Sequence, residues 1–429
     1  MYKTLVTLAL MCASLHAQVT GASIAANAEP SDQNPAAAVN PVIEWNRTLL
    51  VIVRTNGAQP PTIHSTRSFA ILHAAIYDAV NNINGSFTPY LVRLVDVSRR
   101  ASQPASADQA AHDVLVSLYP DLQSTLDTEL QQDLAQIPDG KPKTDGIAVG
   151  QDVAAQILAF RSNDGSDVTP PPYKPKHKPG FYQFTPPDFS PADFTHWGDV
   201  MPFAITRASE FLPGPPPTLT SNQYTRVFNE VKSLGEIDSK SRTQQQTLIG
   251  NFWSGKIQDY WNEIAQTAAL AKNLDLENSA RLFALLNISL ADSTISFFEA
   301  KYFYQVWRPV TAIQMAVSDG NPKTQPDTDW LPLPTKTAPD PSYPGAHSAI
   351  SFAGAEVLKF YLGDRFTFDV TSESLQGVKR HFTSFSAAAQ EAGLSRIYAG
   401  QHFRTDHIAG KDLGAKVAES IVDTILLPR

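Results

Sequence analysis

Cysteine is almost missing from this chain. Cys12 is the only one in 429 residues, and it falls in a stretch that reads as a removable leader. The mature chain is then without disulfides, Cys-ligated zinc or a thiol nucleophile. Positive charge is also in short supply: 34 Lys and Arg stand against 42 Asp and Glu, a formal net charge of −8. That balance offers no basic field for nucleic acid, so any cationic site must be local. Beyond the leader, no stretch reads as the ~20 apolar residues of a spanning helix, which predicts no integral membrane segment in the mature chain. Strand-type alternation is scarce, and there is no internal repeat. What the chain does have is a 42% hydrophobic content, enough for a large core, and 32 prolines, many of them in two dense stretches.

Met1-Tyr2-Lys3, the apolar run through Leu10 and a small-residue exit at Leu15-His16-Ala17 or Ala26-Asn27-Ala28 predict a signal peptide over 1–28. The expected destination is the periplasm or the medium. Bulky Leu10 and Met11 ahead of Cys12 argue against lipid attachment there. A polar linker follows over 29–40. Residues 41–220 read as an N-terminal helical region with a proline-rich wrap, and 221–429 as the catalytic helical region.

Phe69, Leu72, Ile76, Val80 and Ile83 share one helical face, which Asn84-Gly85 terminates. Ala107–Leu118 and Gly146–Phe160 repeat that pattern. The prolines of 164–217 exclude long helices, while Phe189, Phe194, Trp197 and Phe203 argue for an ordered wrap. A long helix is expected over 277–307, ended by Pro309 at Arg308. Helices are expected over 348–362, stopped at Gly363, and over 406–427. His64, His73 and His112 lack a shared ligand spacing, and His381 and His407 read as bystanders.

Three segments stand apart. In the first, Lys301 and Arg308 are seven residues apart and fall on one face of the expected helix, among Tyr302, Phe303, Tyr304 and Trp307. The pair is either a solvent-facing basic couple or a partly buried one that needs an anion. In the second, Pro344-Gly345-Ala346-His347 leads into a helix of small residues. It is either a simple turn or a place where the Gly345, Ala346 and His347 amides face an anion at a helix start. In the third, Arg396 precedes His402 and Asp406, which are four apart, so the carboxylate can hold one imidazole nitrogen. Fixed cations and donors dominate the set. It suits a tetrahedral oxyanion better than a divalent metal, and the choice lies between phosphate and vanadate chemistry.

Together these segments resemble the signature of the superfamily that joins type 2 phosphatidic acid phosphatases to vanadium-dependent haloperoxidases. That signature runs Lys, six residues, Arg-Pro; then Pro-Ser-Gly-His; then Ser-Arg, five residues, His, three residues, Asp. Lys301/Arg308-Pro309 and Ser395-Arg396/His402/Asp406 match in type and spacing. Arg67–Asp78, Gly146–Arg161 and Ser221–Trp253 are similar to the vanadium chloroperoxidase-like branch. The resemblance implies an all-α fold of two helical bundles in one unit, with vanadate as cofactor at a place phosphate can also occupy. Lys301, Arg308 and Arg396 would neutralise the oxyanion with amide help at Gly345 and Ala346. His402 would bond vanadium, Asp406 would orient His402, and His347 would act as acid/base. The implied reaction oxidises a halide with hydrogen peroxide. The alternative is an acid phosphatase that acts on a phosphate ester through a phosphohistidine at His402, and a second alternative is a catalytically weak oxyanion-binding relative. One departure stands out: Gly345 occupies the place of the family's serine, and one lost hydrogen bond to a charged ligand costs about 1.5–3 kcal/mol. Ser348 is the nearest following hydroxyl in sequence.

Overall fold

The computed structural model of the chain describes residues 40–60 and 64–429. The expected signal peptide, Cys12 and all of the linker except Asn40 lie outside the described residues. Helices dominate. The N-terminal half contains α1 (Pro41–Arg54), α2 (Ser65–Asn84), α3 (Gln103–Leu118), α4 (Gln123–Ala135) and α5 (Lys141–Arg161). The remainder contains α6 (Asn222–Gly235), α7 (Gln244–Phe252), α8 (Ile257–Ala271), α9 (Leu276–Tyr304), α10 (Pro309–Gln314), α11 (Ala346–Leu362), α12 (Phe385–Tyr398) and α13 (Arg404–Thr424).

The capping chemistry explains most ends. Asn40, Ser102, Ser221, Thr243, Asp275 and Ser384 each accept an N–H of the helix they precede. Gly85 closes α2 in the left-handed region at φ 71, as its sequence suggests. An antiparallel hairpin, β1 (Arg365–Thr371) with β2 (Lys379–Ser384), is the one sheet among the described residues. The sequence reading did not anticipate it, because its alternation is short.

Helix α9 is the axis of the fold, packed by α2, α11 and α13. Contrary to the reading of apolar runs, α9 is long and apolar enough to cross a membrane, yet 94% of its most apolar window is buried inside the protein. It is a core helix whose apolar surface is already covered by other helices. Helix α13 lies very close to α11: a Cβ at Gly414 would stand 1.9 Å from the Ala349 carbonyl oxygen. Only glycine permits that approach.

The proline-rich wrap is ordered by backbone anchoring. The amides of Phe203, Ala204 and Ile205 all donate to the buried Asp292 carboxylate of α9. Trp197 and Phe203 are buried, whereas Phe189 is exposed. Further along, the Tyr182 amide donates to the Gln305 carbonyl and the Trp307 amide to the Gly180 carbonyl. The Ser342 amide donates to the Val306 carbonyl at 2.8 Å. The wrap, residues 305–307 and the segment just before α11 therefore run side by side, next to the three segments singled out by sequence.

Candidate oxyanion site

The first pair is assembled differently from the expectation. Helix α9 stops at Tyr304, not at Arg308, because Gln305 turns left-handed at φ 54 and its amide closes on the Lys301 carbonyl. Arg308 is extended (φ −80, ψ 156) ahead of Pro309, which opens α10. Proline disfavours helical geometry at the residue before it and suits the first helical position after it. Lys301 and Arg308 therefore share no helix face. They meet at Asp340, whose Oδ1 lies 2.7 Å from both Lys301 Nζ and Arg308 Nη2. Lys301 also donates to the Pro341 carbonyl, and Arg308 Nε to the Asp340 carbonyl. Both cations are almost fully buried. Burial pulls Lys301 down to about 8 even though Asp340 favours its proton. Burial alone would raise Asp340, but Lys301 and Arg308 outweigh it and hold the carboxyl below its ordinary range.

The third segment reaches this pair through a tight turn. After α12, the chain turns at Gly400 (φ 72), and the Gln401 and His402 amides both fold back onto the Arg396 carbonyl. That places His402 Nε2 3.2 Å from Arg308 Nη1. A guanidinium can only donate, so Nε2 is the acceptor and Nδ1 carries the proton of the neutral ring. Nδ1 faces Asp406 Oδ2 at 3.3 Å. Asp406 is fixed in turn, because Oδ2 accepts the Phe403 amide at the start of α13 and the Ser342 hydroxyl at 2.5 Å. Burial lifts Asp406 to about 6 against those two bonds. Burial pushes His402 well below its usual value, and the charges of Arg308, Lys301 and Arg396 act in the same direction.

The middle segment is the first turn of α11. His347 Nε2 donates to the Trp253 carbonyl at 2.9 Å, so in the neutral ring Nδ1 carries the lone pair. Burial and the Arg396 charge drive His347 well below its ordinary value. The Gly345 amide is already engaged by the Asp406 carbonyl at 2.9 Å, which corrects the picture of three free amides. It locks α11 to α13 instead. The Ala346 and His347 amides stand in the first turn, with no helical carbonyl four residues back. A Cβ at Gly345 would lie 3.2 Å from the Asp406 carbonyl oxygen, a crowded position for the family's serine. Ser348 does not replace it, since its Oγ lies 2.9 Å from His407 Nδ1.

Arg396 completes the cluster and tests its fit to an anion. Its Nε and Nη1 are sealed from solvent with no hydrogen-bond partner. Burial and Arg308 lower it to about 10, so it stays charged. Two sealed guanidinium donors left idle beside a second arginine are costly unless an anion joins them. The donor set of Lys301, Arg308, Arg396 and two neutral imidazoles suits a tetrahedral oxyanion. Among the described residues no group of three or more His, Cys, Asp or Glu is arranged to hold a metal ion.

Sequence reasoning missed Asp340 and Ser342. Both sit just ahead of the His347 motif, in a proline-rich loop where Asp and Ser are ordinary turn residues. Four of the other histidines have local partners: His64 accepts the Thr66 amide, His73 meets Asn46, His112 lies between Asp113 and Asp127, and His381 pairs with Asp369.

Comparison with known proteins agrees with this architecture. Residues 281–426 match the family model described as the VCPO second helical-bundle domain. The chain is 25% identical to vanadium chloroperoxidase of Curvularia inaequalis over 509 positions, spanning 90% of this chain and 81% of that protein. A bacterial vanadium-dependent iodoperoxidase superposes with a TM-score of 0.77 at 24% identity, over 93% of this chain and 100% of the other. A holo bacterial vanadium-dependent chloroperoxidase gives 0.64 at 15% identity, over 92% and 96%.

Proposed function

We propose that this chain, which resembles the vanadium-dependent haloperoxidases and shares their helical-bundle fold, is an exported enzyme that oxidises a halide with hydrogen peroxide at a vanadate held by His402. The observation that carries the reading is the half-buried Arg396, whose Nε and Nη1 are sealed and idle, beside Arg308, whose Nη1 reaches the lone pair of His402 Nε2. Vanadate, when bound, supplies the Lewis acidity that makes peroxide electrophilic toward a halide.

The rest belongs to the chain. Lys301, Arg308 and Arg396 hold the oxygens and neutralise their charge, with the Ala346 and His347 amides as further donors. Asp406 keeps the His402 proton on Nδ1, so the electron pair lies on Nε2, where Arg308 Nη1 holds it in this structure and where it would go to a bound vanadate in place of that bond. Ser342 steadies Asp406. His347 enters with Nδ1 unprotonated, so it acts first as a base toward incoming peroxide and returns that proton as an acid. Ala346, His347 and Arg396 are the half-buried members of the set, so substrates approach from their side.

A paired assay tests the proposal. Purified protein is loaded with orthovanadate and assayed for peroxide-dependent oxidation of iodide and bromide. Vanadium-free protein is assayed for phosphate release from an aryl phosphate. Halide oxidation that requires vanadium and disappears in His402→Ala is the expected result. Phosphate release that vanadate inhibits, without halide oxidation, would assign the same residues to a phosphomonoesterase instead.

A further inference from the structure

The three cations of the site are not equivalent. Lys301 has three N–H groups, of which one goes to Asp340 Oδ1 and one to the Pro341 carbonyl. Arg308 directs Nε and Nη2 to Asp340, and Nη1 to the Gln401 carbonyl and His402. Arg396 has two idle nitrogens. An incoming anion therefore meets one arginine with open donors and a pair whose charge is already half neutralised. The Asp340 carboxylate stays with that pair, since the same oxygen bridges both cations.

We propose that Asp340 is a specificity-determining residue: as a fixed counter-charge on Lys301 and Arg308, it cuts the advantage that the cationic site gives doubly charged tetrahedral oxyanions over singly charged ones. The proposal rests on the oxyanion reading above. Repulsion from a fixed carboxylate scales with the charge of the guest, so a dianion suffers twice what a monoanion suffers. Vanadate at low concentration carries one charge near neutral pH. A phosphate monoester carries nearly two. The same carboxylate that weakens phosphate-ester binding thus leaves vanadate comparatively unaffected.

The test compares wild type with Asp340→Asn, which retains the size and one acceptor oxygen but loses the charge. Binding of sulfate, a dianion, and of dilute orthovanadate, a monoanion, is measured by calorimetry at about pH 6, where wild-type Lys301 keeps its proton and, in the variant, the bound anion replaces Asp340 as the charge that favours it. Sulfate should tighten at least about tenfold and vanadate only about threefold, the square root, because the repulsion removed is proportional to charge. Asp340→Glu should keep the wild-type ratio, and Asp340→Ser repeats the charge removal should the Asn variant not fold. A ratio unmoved by charge removal, or loss of both anions in a variant with wild-type thermal stability, overturns the inference and leaves Asp340 as a positioning residue. Failure of the wild type to bind either anion would instead remove the oxyanion reading itself.

Discussion

At the scale of single residues, the chemistry depends on which atoms carry protons. His402 and His347 are both neutral in the resting site; His402 is held at both nitrogens, by Arg308 and Asp406, and His347 at Nε2 by the Trp253 carbonyl. Asp406 must be ionised to keep the His402 proton on Nδ1, and its carboxyl sits at about 6. Activity should therefore fall on the acid side as Asp406 takes up a proton near that pH. The Ser342 hydroxyl favours the ionised form, so Ser342→Ala should raise the Asp406 pKa and move the acid limb of the kcat/KM profile to higher pH. A variant that merely loosened the fold would lower the plateau and leave the limb in place. An unmoved limb would show that Ser342 does not tune Asp406.

At the scale of elements, the site is a meeting of helix ends rather than a face of one helix. Helix α11 brings His347, α13 brings Asp406, and the turn after α12 brings His402 beside Arg396. Their spacing is set where backbones touch. The Gly345 carbonyl approaches Gly410, and the Ala349 carbonyl approaches Gly414. Gly414→Ala should push α13 off α11 and destabilise the protein by about 2 kcal/mol or more, the usual cost of an overpacked interface. Because the same displacement separates Asp406 from the Gly345 amide, activity should fall more than in an equally destabilised variant of α4. Thermal melts and assays on the pair decide it, and parallel losses would disprove the coupling.

At the scale of the whole molecule, acid response is governed by buried groups that pull in opposite directions. Asp78, Asp292 and Asp406 are raised to about 6 by burial. The folded state keeps their protons between about pH 4 and 6 where the unfolded chain releases them, so their effect on stability weakens the fold as pH rises through that window. His64 and His407 at about 4 and His73 at about 3 are lowered by burial. The unfolded chain protonates these rings below about 6.5 while the fold does not, so their effect weakens the fold as pH falls. The two sets oppose one another. His73→Asn removes one member of the second set, so the melting temperature of the variant relative to wild type should rise as pH is lowered from about 7 to 5. A constant difference would mean that His73 does not titrate on unfolding.

Local rules were enough for much of this protein. Helix ends at Gly85 and Gly363, the proline-rich wrap and the spacing from Arg396 to Asp406 were all legible, because capping, proline geometry and helical period act over a few residues. Short-range signals failed where the outcome depended on chain reversal. Gln305 ended α9 three residues before Arg308, and a residue in the left-handed region leaves little trace when it is not glycine. The Asp340 bridge, the Ser342 hydrogen bond and the capture of the Gly345 amide by Asp406 join segments up to dozens of residues apart. The sequence alone determined which charges and rings this protein possesses and that most of those in the site lie near helix ends. Only the tertiary structure decided which cation is neutralised and which is left open, because hydrogen-bond partners are chosen by where the backbone places them after packing.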